Sequence, residues 1–198
     1  MTRSLVLSTT GVSLASLDRL QADVLVLSLF EDDRPLRGTA GYCDWRLCGR
    51  VSGLIQENAF GCRRGEVLLT NTGSRIGAER ILLFGLGTRN QFDRNSFFQT
   101  VDLIFKVLTR ACLNKVALEL PFVETGSITA AEAFRLFFER AVVALPGAEV
   151  MLLGPQPLFS ELASELAARE KGVVLSKSAE KSRAEVFQKT PIKAPSAR

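Results

Sequence analysis

The amino-acid sequence predicts an α/β fold, a three-layer α/β/α sandwich around a central sheet that is mostly parallel or mixed. Short β-rich segments alternate along the chain with amphipathic segments of helical period, which is typical of this class. Several β-rich segments are almost continuously apolar, as expected of strands that helices cover on both faces. The chain has 198 residues, 46% of them apolar, which suffices for a core without disulfides or metals.

Six segments are predicted to form strands because they are short and rich in valine, isoleucine and leucine. They are residues 4–8, 23–29, 66–70, 80–84, 115–120 and 149–153. The second, fourth and sixth are the most continuously apolar, which favours burial on both faces.

Four segments between or after these strands have the pattern of helices. One begins near Arg94 and places six apolar or small side chains on one face: Phe97, Val101, Ile104, Phe105, Leu108 and Cys112. A second follows Thr129, a suitable N-cap. A third starts at Pro157, and a fourth, less regular helix covers about residues 43–57. The phenylalanines recur every three to four residues, which favours core packing over a ligand-stacking set.

The net charge of +4 belongs to the C-terminal end of the sequence. Residues 176–198 contain six Lys or Arg and two Glu, so residues 1–175 carry equal numbers of basic and acidic side chains. Hydrophobic periodicity also ends after Leu175. We therefore predict one domain over residues 1–175 and a basic, disordered tail over residues 176–198. A solvated end is the ordinary interpretation of such a tail, and contact with nucleic acid or an acidic partner is the alternative.

Composition excludes several kinds of chemistry. The sequence contains no histidine, which rules out Ser-His-Asp and Cys-His catalysis and the H-E-x-x-H zinc site. Its cysteines lack the C-x-x-C spacing of thiolate zinc sites and are expected to be small buried residues: Cys43, Cys48, Cys62 and Cys112. We expect no metal and no cofactor. No segment approaches the ~20 apolar residues of a membrane span, and the first apolar run is too short for a signal peptide, so we expect a cytoplasmic protein without a membrane partner.

Two glycine-containing loops follow predicted strands and lead into helices, where backbone amides can approach an anion. The first loop contributes the candidate ligand-binding residues Arg34, Arg37, Gly38, Gly41 and Asp44. The second contributes Gly85, Gly87 and Thr88. Neither loop has a Walker A or a complete G-x-G-x-x-G pattern, so tight strand-to-helix turns are the alternative.

Three adjacent acids, Glu31, Asp32 and Asp33, stand in the first loop. They could bind a divalent cation, but with arginines beside them a solvated turn is the more ordinary interpretation. A two-metal hydrolytic site needs several converging carboxylates, and the sequence shows no such cluster.

The order of these segments resembles the N-terminal domain of the M17 leucyl aminopeptidases, a domain with a macro-domain-like fold. The matching stretches are residues 22–27, 38–54 with Asp44, 61–70 and 80–87, the last ending in Gly85-Leu86-Gly87. Together they extend over about residues 3–170. The resemblance implies a non-catalytic domain, because the family's two-metal peptidase site lies in a separate C-terminal domain. That domain's signature, Asn-Thr-Asp-Ala-Glu-Gly-Arg-Leu, does not occur in this sequence.

The resemblance further implies a role in assembly, regulation or protein interaction, with a second copy or a related peptidase subunit as partner. Macro-domain likeness implies an alternative, a module that binds ADP-ribose or another phosphorylated small molecule through the two loops. The Asn-Ala-Ala-Asn-like segment of macro domains that bind ADP-ribose is missing after Ser28-Leu29-Phe30, which argues against macro-domain-type hydrolysis. We expect no nucleic-acid partner beyond the tail. Phe30, Tyr42 or Trp45 filling a cleft between the loops would favour the interaction role.

Overall fold

The computed structural model describes residues 4–121, 128–169 and 173–175, and within these ranges seven strands form one sheet. Their bounds are β1 Leu5–Thr10, β2 Ala22–Phe30, β3 Val67–Asn71, β4 Ala78–Gly87, β5 Lys115–Glu119, β6 Glu149–Leu153 and β7 Val173–Leu175. The order across the sheet is β3-β4-β2-β5-β6-β1-β7. β3 runs antiparallel to β4, and the other neighbouring pairs are parallel. The predicted α/β fold with a mixed, mostly parallel sheet is confirmed.

Helices cover both faces of this sheet. They are α1 Leu14–Asp18, α2 Gly38–Arg46, α3 Arg50–Gln56, α4 Arg94–Arg110, α5 Ala130–Ala144 and α6 Gln156–Arg169, and a short 3-10 helix, Arg89–Gln91, follows β4. α4, α5 and α6 share one hydrophobic core with one face of the sheet, and α1, α2 and α3 share a second core with the other. Among the described residues, no helix is long and apolar enough to cross a bilayer.

Local sequence explains where the longer helices begin. Asp93 caps α4 and Thr129 caps α5, each accepting a hydrogen bond from an amide of the first turn, so the N-cap predicted at Thr129 is confirmed. The phenylalanines on the apolar faces of α4, α5 and α6 are core residues as predicted, whereas Phe98 is only partly buried. Phe134 of α5 is fully buried and lies 4.9 Å, between ring centroids, from Phe159 of α6. These contacts join the helices of the larger core.

The single helix predicted over residues 43–57 is wrong. Two helices, α2 and α3, occupy this stretch, because Cys48 and Gly49 adopt left-handed backbone conformations with φ of 56° and 79°. Such a conformation ends a right-handed helix. α1 and β7 are absent from the predicted elements, because they span five and three residues and are too short for a periodic pattern to be visible.

All four cysteines were predicted to be buried, and for two of them the prediction is wrong. Cys43 and Cys62 lie in the core, whereas Cys48 and Cys112 are exposed, and all four are free thiols. Cys112 does not share the buried face of α4, because the helix ends at Arg110 and Cys112 has a φ of 53°. A left-handed residue beyond the last turn points away from the helix's apolar stripe.

The sheet topology places the two candidate loops at one edge. β2 lies between β4 and β5 and is parallel to both, so the carboxyl ends of the three strands are neighbours. Phe30 at the end of β2 pairs with Gly87 at the end of β4, after a shift in register beyond Leu29. Loops leaving these positions begin side by side, which is where ligands bind in open parallel sheets.

Candidate functional site

The two loops are tied together by acids of the first loop. The Asp32 carboxylate accepts the Arg89 amide, with N···O distances of 3.1 and 3.2 Å. Asp33 forms an ion pair with the Arg89 guanidinium at 3.2 Å. These carboxylates therefore cross-link the loops. Within the described residues, no group of three His, Cys, Asp or Glu could hold a metal ion.

Aromatic side chains occupy the junction of the loops. Phe30 is 3% exposed and meets Phe92 edge-on, with ring centroids 5.2 Å apart. The Arg89 guanidinium lies 4.7 Å from the centre of the Phe30 ring, a favourable cation–π distance. Aromatic rings and the Arg89 guanidinium therefore fill the junction of the two loops. Of the three aromatic residues that the sequence analysis considered, Phe30 lies here.

The arginines of the first loop have different surroundings. Arg34 donates to the carbonyl oxygens of Phe30 and Asp33, at 3.0 and 2.8 Å, and to the Cys62 sulfur at 3.2 Å. It thereby fastens the turn after β2. Burial raises the pKa of the Cys62 thiol, and the hydrogen bond and charge of Arg34 oppose that rise. Arg37 is exposed at the N-cap of α2, where no side chain caps the helix.

α2 begins beside a buried carboxyl group that the sequence analysis missed. Gly38 has a φ of +56°, and a Cβ placed there would lie 3.8 Å from Glu119 Oε1. Burial raises the pKa of Glu119, and the nearby Thr39 hydroxyl opposes the rise. This hydroxyl is itself buried without a well-formed hydrogen bond to any described residue. The signal in the sequence was Glu119 itself, an acid at the end of an otherwise apolar strand.

Two further predicted site residues hold the helices in place. A Cβ on Gly41 would lie 2.7 Å from the Leu36 carbonyl oxygen, so glycine allows the loop backbone to pass close to α2. Asp44 accepts hydrogen bonds from the amide of Ser52 at 3.0 Å and from its hydroxyl at 2.5 Å, which satisfies an amide in the first turn of α3. Between them on α2, burial raises the pKa of Cys43 to about 12, and nearby carboxylates add to the rise.

The glycines of the second loop are enclosed by protein. The Gly85 and Gly87 amides donate to carbonyl oxygens of the segment before β3, at 2.8 and 2.9 Å. A Cβ on Gly85 would lie 2.1 Å from the Arg63 carbonyl oxygen. The Thr88 hydroxyl is buried and has no hydrogen-bond partner among the described residues. The two amides that a phosphate would need are thus engaged within the fold.

An open groove of about 740 Å³ lies along α2 and the start of α3. Its lining residues are Pro35, Leu36, Gly41, Asp44, Trp45, Arg46, Cys48, Gly49 and Ser52. Trp45 exposes 65% of its surface, and Tyr42, one turn earlier on α2, exposes 41%. Of the predicted site residues, Gly41 and Asp44 line this groove. Trp45, the single tryptophan of the sequence, was the available signal for it.

Comparison with known sequences identifies a family. Residues 26–145 match the model described as "Cytosol aminopeptidase family, N-terminal domain". A probable cytosol aminopeptidase of Rippkaea orientalis is 28% identical over 111 residues, which are 56% of this chain and 23% of that protein. One of Cupriavidus metallidurans is 34% identical over 93 residues, 46% of this chain and 18% of that protein. The chain therefore spans about a fifth of the length of these relatives, and the match does not cover the family's catalytic domain.

Solved structures share the fold at low sequence identity. The macrodomain of Mycobacterium tuberculosis DarG aligns with a TM-score of 0.57 and 15% identity, covering 76% of this chain and 98% of that one. A Trypanosoma brucei macrodomain in complex with ADP gives 0.60 and 15%, covering 79% and 66%. A tomato leucine aminopeptidase variant gives 0.55 and 14%, covering 82% and 37%. The macrodomain-like fold implied by the sequence resemblance is confirmed.

Proposed function

Because this chain belongs to the cytosol aminopeptidase family, through the N-terminal domain that it matches, we propose that it is a non-catalytic domain that binds protein. Its role is assembly or regulation in the cytoplasm. Its partner is a second copy of the chain or a peptidase subunit of the same family. The observation that carries the proposal is the exposure of Trp45 beside the groove on α2 and α3.

The composition of this surface suits a protein partner. Trp45 exposes 65% of its surface and Tyr42 exposes 41%, and the two are three positions apart on a helix, where side chains are neighbours. The Arg46 guanidinium lies 5.2 Å from the centre of the Trp45 ring. Tryptophan, tyrosine and arginine are the residues enriched at the energetic centres of protein interfaces. A shallow groove next to them offers a place for a side chain of the partner.

The junction of the loops supports the same proposal because it leaves little room for the alternative, a phosphorylated ligand. Phe30 and Phe92 pack there, and the amides of Gly85 and Gly87 donate within the fold. A phosphorylated ligand would have to displace these contacts. Protein binding through α2 and α3 leaves them unchanged.

The test compares two variants of similar exposure on different surfaces. Trp45→Ser removes the aromatic side chain beside the groove, and Val143→Ser changes an 80% exposed apolar residue on α5. Self-association is measured by light scattering after size exclusion, and binding to a purified peptidase of the family by interferometry. We expect Trp45→Ser to weaken association by about 30-fold, the loss typical of an interface hot spot, and Val143→Ser to leave it unchanged.

Three results would contradict this proposal. One is an absence of both self-association and peptidase binding at high protein concentration. Another is an equal loss of binding in the two variants. The third concerns the non-catalytic character: robust hydrolysis of leucyl-anilide by the purified chain with Mn²⁺ or Zn²⁺ would require a peptidase site of its own.

A second candidate function is supported by the start of α2. No side chain caps this helix. The buried Thr39 hydroxyl beside it lies near Glu119 but makes no well-formed hydrogen bond to a described residue, so an anion could be held near Arg37 and Gly38. Calorimetric titration with ADP and ADP-ribose tests this candidate. Heat of binding that disappears in Thr39→Val would favour it over the interaction role, and absence of heat with either ligand would remove it.

If the second candidate function is correct, the residues predicted from the two loops are the proposed ligand-binding positions. They are Arg34, Arg37, Gly38, Gly41, Asp44, Gly85, Gly87 and Thr88. Macro-domain-type hydrolysis likewise remains a proposal. The boundary at residue 175 and the tail over residues 176–198, which lies outside the described residues, also remain proposals.

A further inference from the structure

One arginine in the wall of the groove is held in place by its neighbours. Arg46 lines the groove, and its terminal nitrogen pairs with the Asp18 carboxylate. Its Nε is buried and has no hydrogen-bond partner among the described residues. The ion pair with Asp18 and the stacking on Trp45 fix the orientation of the guanidinium. Because Nε is buried, Arg46 faces a ligand in the groove through its positive charge and not through this donor.

The rim of the groove carries unbalanced positive charge. Arg75 donates to the Cys48 sulfur at 2.9 Å, and Arg50 follows Gly49 at the start of α3. Both arginines are exposed, and neither forms an ion pair with a carboxylate of the described residues.

Acidic side chains at the groove are already engaged. Asp44 binds the amide and hydroxyl of Ser52, and Asp18 pairs with Arg46. The groove therefore offers guanidinium groups to a ligand and no free carboxylate of its own.

The remaining lining is apolar. Pro35 and Leu36 form one part of it and the Trp45 ring another. A ligand that complements the whole groove thus combines an apolar side chain with carboxylates. A nucleic acid complements it less well, because phosphates at regular spacing need a continuous basic track, whereas the lining contains one arginine beside the apolar Pro35, Leu36 and Trp45.

We propose that the groove on α2 and α3 binds an acidic peptide segment of the partner protein. One apolar side chain of that segment packs on Leu36 and Trp45. Carboxylates of that segment lie near Arg50 and Arg75, the exposed arginines at the rim. This proposal rests on the proposed function and specifies the chemistry of the partner.

The test uses short peptides without tryptophan, so that Trp45, the single tryptophan of the chain, reports binding by its fluorescence. The probe is acetyl-Glu-Glu-Leu-Phe-Glu-amide, and its matched control carries glutamine at each glutamate. We expect the acidic peptide to bind at least about tenfold more tightly than the glutamine peptide, which corresponds to about 1.4 kcal/mol. Raising the salt concentration should weaken binding of the acidic peptide and leave binding of the control peptide unchanged.

Three arginine variants assign the contacts. Arg50→Gln and Arg75→Gln each remove one exposed positive charge from the rim. Both variants should weaken binding of the acidic peptide by about three- to tenfold, the range of a charge-assisted hydrogen bond at a partly exposed site. Arg110→Gln, an exposed arginine at the end of α4, is the matched control and should have no effect. Circular dichroism verifies that each variant is folded.

The results separate this inference from the proposed function. Equal binding of the acidic and glutamine peptides, or no binding of either, would overturn the acidic-peptide proposal. If Trp45→Ser still abolished association with the protein partner, the interaction role would stand with a different partner chemistry. Binding of a short single-stranded oligonucleotide or of inorganic phosphate as tightly as the acidic peptide would assign the groove to anions in general and would also overturn the proposal.

Discussion

Replacing Gly85 with alanine should destabilise the chain, because this glycine separates β4 from the segment that precedes β3. A Cβ at this position would lie 2.1 Å from the Arg63 carbonyl oxygen and 2.6 Å from the Cys62 carbonyl carbon. Both obstacles are backbone atoms, which cannot rotate away as the end of a side chain can. Ordinary non-bonded contacts need about 3.5 Å, so the two segments would have to separate by more than about 1 Å.

The hydrogen bonds around Gly85 determine the size of the effect. Its amide donates to the Glu66 carbonyl at 2.8 Å, its carbonyl accepts the Gly65 amide at 3.0 Å, and the Gly87 amide donates to the Cys62 carbonyl at 2.9 Å. Weakening two or three such bonds costs about 1 kcal/mol each, and overpacking by itself costs about 1–3 kcal/mol. Alanine recovers about 0.4–1 kcal/mol by restricting the unfolded chain. The net loss in the free energy of unfolding should therefore be about 2–5 kcal/mol.

Urea unfolding followed by circular dichroism measures this loss, with Gly53→Ala as the control. Gly53 lies inside α3, where a Cβ would meet nothing within 4 Å, so alanine should stabilise the protein there by about 0.5–1 kcal/mol. For a domain of this size, Gly85→Ala should lower the midpoint by at least about 1 M urea. A midpoint unchanged from the parent chain would refute the packing role. If that stable variant also lost ADP binding, Gly85 would be a ligand residue.

Two further predictions concern buried titratable groups. Burial raises the pKa of Glu119 above its ordinary value of 4.5, so the folded state binds this proton more tightly than the unfolded state does. The free energy of unfolding should therefore fall as the pH rises from 4.5 through the raised pKa of the folded state. Glu119→Gln should reduce this fall in thermal-denaturation measurements, and parallel pH profiles for the two proteins would contradict the assignment. The second prediction concerns the reactivity of the thiols. A disulfide reagent should modify the exposed Cys48 and Cys112 rapidly in the native chain. It should modify the buried Cys43 and Cys62 only after unfolding. Burial raises the pKa of Cys43 to about 12, so rapid modification of this thiol at neutral pH would show that α2 opens.

The sheet was predictable because apolar strands give a strong local signal. Parallel strands covered on both faces appear in the sequence as continuous valine and leucine runs, and the strand predicted over residues 80–84 lies within β4. The break between α2 and α3 was not predictable by the same means. It depends on Cys48, a non-glycine residue in a left-handed conformation, and on Asp44, whose carboxylate binds Ser52 eight positions away. Such contacts have no period in the sequence.

The candidate site was harder to predict because one residue type serves opposite purposes. A glycine after a strand permits either a phosphate or another backbone segment to approach, and the sequence around Gly85 does not distinguish the two. The difference lies in residues more than 20 positions away, since Arg63 occupies the space beside Gly85. Trp45 illustrates the converse, because an aromatic residue on an irregular helix suggests core packing until its 65% exposure is known. Sequence motifs therefore located the loop edge of the sheet, whereas the surface that we propose as functional follows from which side chains the packed core left exposed.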